Sequence, residues 1–100
     1  MASQNVTLNG PYEFEADGTE RIAILSNPGG YLINTGSADA VVNVNGDGSS
    51  TGLVTTAQPS GANQIRIQQG NGILIPLPRT CSFFNFKAAS STFLQYIQRA

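Results

Sequence analysis

Apolar and polar residues alternate along nearly the whole chain, the signature of strands whose successive side chains point to opposite faces of a sheet. "YEFE" (12–15) sets Tyr12 and Phe14 against Glu13 and Glu15, and "ADGT" then turns the chain. "RIAILS" (21–26) places Ile22 and Ile24 on one side, and "NPGG" (27–30) is a strongly punctuated turn. "YLINTG" (31–36) leads to "AVVNVN" (40–45), in which Ala40, Val42 and Val44 align. After a glycine-rich stretch come "GLVTT" (52–56), the break "QPSG" (58–61), and "QIRIQ" (64–68), which aligns Ile65 and Ile67 before "GNG" (70–72) turns it. "ILIPLP" (73–78) aligns Ile73, Ile75 and Leu77, and "CSFFNFK" (81–87) aligns Phe84 and Phe86.

The segment "ASSTFLQYIQRA" (89–100) is compatible with a helix capped by Ser91 or with a final strand. We read it as a strand, because so short a helix is unstable alone and the rest of the chain is sheet. The pattern therefore predicts about eight short strands with turn signals roughly every ten residues, an all-β antiparallel sandwich of jelly-roll or immunoglobulin-like type. The expected core is Ile22, Ile24, Ile33, Val42, Val44, Ile65, Ile67, Ile75, Phe84 and Phe86. Pro76 and Pro78 cannot donate ladder hydrogen bonds, so their segment is expected along an edge or leaving the sheet.

Length and composition narrow the picture. One hundred residues make one domain with a small core, which we divide into a polar N-terminal arm (1–10) and a β-sandwich (11–100). Charged residues are 11% of the chain, well under the roughly 25% of ordinary globular proteins. Net charge is −1 with no basic cluster, which argues against direct nucleic-acid binding. A surface of Ser, Thr, Asn, Gln and Gly has little self-repulsion and tolerates close packing in an assembly. The polar start "MASQNVTLNG" is not a signal peptide, and no apolar run approaches a membrane span, so synthesis in a cytoplasm is expected. The sequon Asn5-Val6-Thr7 is read as chance. The single cysteine, Cys81, stands beside Phe83 and Phe84 and reads as a buried small hydrophobe rather than a reactive thiol.

Candidate chemistry is sparse. In "NVNGDGSSTG" (43–52), Asn43, Asn45 and Asp47 alternate ahead of Gly48, as in the first half of a calcium loop. Counting from Asn43, the position that needs a bidentate Glu is Val54, and Asp47 is the one carboxylate of the loop. We therefore read a turn at one end of the sandwich, with residues that tolerate positive φ, and expect no metal. The chain has no histidine, which removes histidine-based triads, bases and metal sites. Glu13 and Glu15 share a strand face, as a glycosidase pair would, but their alternation with Tyr12 and Phe14 reads as the wet side of a strand. Tyr31, Phe83, Phe93 and Tyr96 are candidates for a sugar platform, although a small sandwich needs most of its large residues inside. No catalytic, cofactor-binding or metal-binding residues are assigned, and no enzyme activity is expected.

The order of pieces carries a resemblance. "YLINTGSADAVVNVNGDG" reads as strand, Asn-x-Gly, strand, short loop, and "GILIPLPRTCSFFNFKAASSTFLQYIQ" is an apolar, proline-bearing run that closes on a strand. Over roughly residues 20–98 this resembles the small β-sandwich virion proteins of tailed bacteriophages, the capsid decoration (cement) and head-fibre base proteins. The two prolines of "IPLP" depart from that pattern. The resemblance implies a structural protein of the capsid surface, a homo-oligomer and often a trimer, whose partner is the major capsid protein and which has no cofactor and no membrane or direct nucleic-acid partner. It carries no site residues, since that group has no fixed ligand motif. A tail or fibre component and a carbohydrate-binding or adhesin module are the alternatives.

Overall fold

The computed structural model describes residues 6–45, 64–70 and 74–99. Among them are nine strands and no helix: β1 (Val6–Leu8), β2 (Tyr12–Ala16), β3 (Arg21–Leu25), β4 (Gly30–Asn34), β5 (Ala40–Val44), β6 (Gln64–Ile67), β7 (Ile75–Leu77), β8 (Phe83–Ala88) and β9 (Thr92–Ile97). They form a five-stranded sheet, β1-β3-β8-β5-β6, and a four-stranded sheet, β2-β9-β4-β7. Every pairing is antiparallel except β1 with β3. The protein is a small β-sandwich. The segment after Thr92 is a strand, and the proline-bearing β7 lies at a sheet edge, where Pro76 meets a partner on one side only. The expected strand "GLVTT", the turn "QPSG", Ile73 and Asp47 lie outside the described residues.

The two inner faces meet in one apolar core, centred on Phe14, Phe84 and Phe86. The ring centroids of Phe14 and Phe86 are 5.0 Å apart and those of Phe84 and Phe86 are 6.0 Å apart, both in edge-on contact, the favoured geometry for aromatic pairs. Small residues fill the space opposite the large ones: Ala23 pairs across the ladder with Phe84, and Ala16, Ala40 and Ala88 are buried beside them. Close-packed interiors require this alternation of large and small.

That requirement corrects part of the expected core. Val42, Val44, Ile67, Phe84 and Phe86 are buried as expected. Ile22 and Ile24 are not: Ala23 and Leu25 face inward, and Ile24 is 46% exposed on the outer side. Two larger isoleucines on the inner side of β3 would collide with the phenylalanines of β8. In β4 the inner positions are Leu32 and Asn34, leaving Ile33 half-buried on the outer face. Ile65 and Ile75 are half-buried at the core's margin. The phase of β4 is set by Asn34, whose side chain has its partners inside.

Val6–Leu8, assigned from sequence to a polar arm, form a strand. β1 runs parallel to β3 with Leu8 opposite Leu25 and fully buried. The amide of Ser26 donates to Leu8 O at 3.1 Å, extending the ladder. The chain then crosses to the other sheet through Gly10, whose φ of 90° lies where glycine is favoured.

Candidate interaction surface

Asn34 and Asn45 are held by hydrogen bonds to the chain's own backbone. Asn34 is buried between the sheets. Its Nδ2 donates to Ala38 O (2.7 Å) and Ile67 O (3.0 Å), while its Oδ1 accepts from the Gly36 amide (3.0 Å) and the Thr92 hydroxyl (2.8 Å). One residue thus fixes the β4–β5 turn, the end of β6 and the start of β9. Gly36 is required there, because a Cβ would stand 2.0 Å from Thr92 Oγ1 and 2.6 Å from the Phe93 nitrogen. The Asn-x-Gly of the sequence is therefore a structural clamp.

Asn45, from the calcium-like stretch, behaves in the same way. It holds a positive φ of 52°, donates through Nδ2 to Thr80 O at 3.0 Å and accepts the Ser82 amide at 3.1 Å. Asn43 lies opposite Gln64 and Asn85 on the outer side of the five-stranded sheet. Cys81 is buried, and burial pushes its thiol above the ordinary 9.0, against the opposing effect of backbone hydrogen bonds from Asn45 and Phe83. Tyr96 is buried too, and its hydroxyl donates to Gly29 O at 2.7 Å beneath the "NPGG" turn. Burial raises its pKa, and the neighbouring Cys81 adds to the rise. Of the four aromatic candidates, Tyr96 is core, Tyr31 and Phe83 are half-buried, and Phe93 is exposed.

Glu13 and Glu15 do share an exposed face, with the Ser91 hydroxyl donating to Glu15 Oε2. That face is the outer side of the four-stranded sheet, and its register shows what surrounds them. Glu15 is opposite Phe93. Glu13, Gln95 and Ile33 form the next row. Ile97, Tyr31 and Pro76 form a third, entirely apolar row. Phe93 is 47% exposed, and Tyr31, Ile33 and Ile97 are half-buried. With about 4.8 Å between strands and about 3.3 Å per residue, the patch from β2 to β7 and from Phe93 to Ile97 measures about 14 by 13 Å.

An amphipathic sandwich strand places polar residues outward. β9 does not, since Phe93 and Ile97 face out while Leu94 and Tyr96 face in. Contiguous outward apolar residues rimmed by polar ones mark an interaction surface. The sequence signal was present in "TFLQYI", where both phases of the alternation are apolar. It was masked because either phase could have been the core.

No family model, curated protein or solved structure matches the chain.

Proposed function

We propose that the chain is a structural protein of a phage virion that binds the outside of the capsid as a homo-oligomer and stabilises it, as decoration or cement proteins do. The observation that carries this reading is the apolar outer face of the four-stranded sheet, built from Tyr31, Ile33, Pro76, Phe93 and Ile97. A domain this small has little apolar surface to spare from its core, and leaving a row of it outside favours a partner. The resemblance in turn order and strand order supports the virion setting. Three copies is the stoichiometry that the resemblance implies, whereas the charge layout of the face favours pairing.

Stabilisation would follow from mass action, because a protein that binds the assembled shell and not its dissociated subunits shifts the balance toward the shell. The polar arm would supply further contact through Ala2–Asn5, since Val6–Leu8 belong to the sheet.

The test uses shells built from the major capsid protein encoded beside this chain. The purified protein should co-sediment with them and raise their disruption temperature, and Phe93→Asp should abolish both effects. Absence of a neighbouring capsid gene, or failure to co-sediment, overturns the reading. Binding on a glycan array that is lost in Phe93→Asp would replace it with a carbohydrate-binding module.

A further inference from the structure

We propose that the outer face of the four-stranded sheet is where two copies of the chain meet, packed face to face about a twofold axis along the diagonal of the patch, with their strands crossing near a right angle. This rests on the assembly reading above and names the surface, the symmetry and the contacts.

Two stacked copies of one face are related by a twofold axis lying in the plane between them. For a nearly square patch the axis has four natural placements: along the strands, across them, or on either diagonal. Orthogonal packing is one of the two standard ways in which sheets meet, and a square patch loses no overlap when turned by a right angle.

Charge separates the four placements. Glu13 and Glu15 lie on β2, along one edge and toward the Phe93 corner. The opposite corner is basic. There the chain leaves β7 after Leu77 into the turn that carries exposed Arg79, and Arg99 follows β9. The two arginines converge on Gly29: a Cβ on that glycine would lie 3.4 Å from Arg79 Cα and 3.4 Å from Arg99 Nε. Arg99 Nε is buried without a hydrogen-bond partner.

The diagonal that carries the β2 edge over the basic corner brings Glu13 and Glu15 to about 6–7 Å, in the plane, from the arginine backbone positions of the second copy. It also sets Gln95 between Ile33 and Tyr31 and Phe93 beside Pro76. The other diagonal stacks Glu15 on its own image, a like-charge contact. An axis along or across the strands sets the carboxylates over no arginine. One placement of four is therefore self-complementary, and symmetry makes each contact twice.

The patch is small beside the roughly 800 Å² per partner of a standard interface, so pairing belongs in the micromolar range. Sedimentation equilibrium across about 1–300 µM, bracketing that range, should show monomer and dimer for the natural chain. Glu13→Arg and Arg79→Glu, both at exposed positions, should each weaken pairing at least about tenfold. The double swap should restore it to within about threefold, with an unchanged circular dichroism spectrum throughout. A monomer at every concentration, or single swaps that weaken pairing without rescue by the double swap, overturns the proposal. A trimer overturns the twofold geometry and leaves the homo-oligomer standing. Failure to bind capsids with pairing intact overturns the assembly reading alone.

Discussion

Asn34 uses both amide hydrogens and its carbonyl oxygen on partners from three separate segments, so its removal leaves several buried groups unpaired at once. Asn34→Ala should cost about 3 kcal/mol, since each stranded buried donor or acceptor carries about 1–3 kcal/mol. Thr92→Val removes a single partner of that network and should cost about 1 kcal/mol. Urea denaturation midpoints of the two variants check the ranking, and equal losses would contradict the clamp. Cys81 and Tyr96 give a second prediction at this scale. Both pKa values are raised on folding, by burial first. The folded state therefore holds these protons more tightly than the unfolded chain does. The resulting stability is fully present below the unfolded values of about 9 and 10 and is lost as pH rises through them toward the folded values. Denaturation midpoints should hold steady between pH 6 and about 8 and fall as pH rises above about 9, with the fall delayed in Cys81→Ala. The thiol itself should react slowly with iodoacetamide at neutral pH until urea exposes it.

At the scale of elements, the alternation marks where strands lie but not always which phase faces in. In β2 the glutamates decide the matter, and Phe14 was legible as core. In "GYLIN" the buried hydrogen bonds of Asn34 set the phase, whereas in "RIAIL" both phases are apolar, so hydropathy is silent and volume decides. β8 already contributes two phenylalanines, and β3 answers with Ala23. β1 was missed for a related reason: three residues with one buried leucine are too few to show a period. The edge position of β7 was legible because a missing N–H is a property of proline in any context. Two substitutions separate the phases of β3. Leu25→Ser should cost about 3 kcal/mol, as for other large-to-small changes that also bury a hydroxyl. Ile24→Ser should cost less than about 1 kcal/mol, because that side chain is half in water already. Leu8→Ala should cost about 2–4 kcal/mol and would identify β1 as part of the folded unit rather than a free arm.

Across the whole molecule, edges and faces are guarded differently. Edge strands invite pairing through their open backbone groups unless charge, proline or brevity blunts them. β2 carries Glu13 and Glu15, β7 carries Pro76, β6 carries Arg66, and β1 is three residues long. Association by strand addition is thus opposed at all four edges, while the outer face of the four-stranded sheet carries an apolar row and the exposed Phe93, with its carboxylates confined to the β2 side. Face contact and edge contact respond oppositely to one change. Pro76→Val restores an N–H to the β7 edge and adds β propensity, so it should form thioflavin-binding aggregates faster than the natural chain under the same conditions. Phe93→Asp leaves every edge as it is but puts a second carboxylate on the face, beside Glu15. It should abolish the soluble pair while shifting the denaturation midpoint of the isolated domain by no more than an ordinary surface change, about 0.5 kcal/mol. Salt offers a further separation. The corner contacts between carboxylates and arginines are solvent-exposed, and the Debye length falls from about 10 Å at 0.1 M to about 3 Å at 1 M. Pairing should therefore weaken several-fold over that range in the natural chain and in the charge-swapped double variant alike. It should change less in Glu13→Gln/Arg79→Gln, which keeps only Glu15 and Arg99 as charges at the corners. A pair whose strength is the same at both salt concentrations in all three proteins would mean that the corners do not meet, and that the strands cross at some other angle.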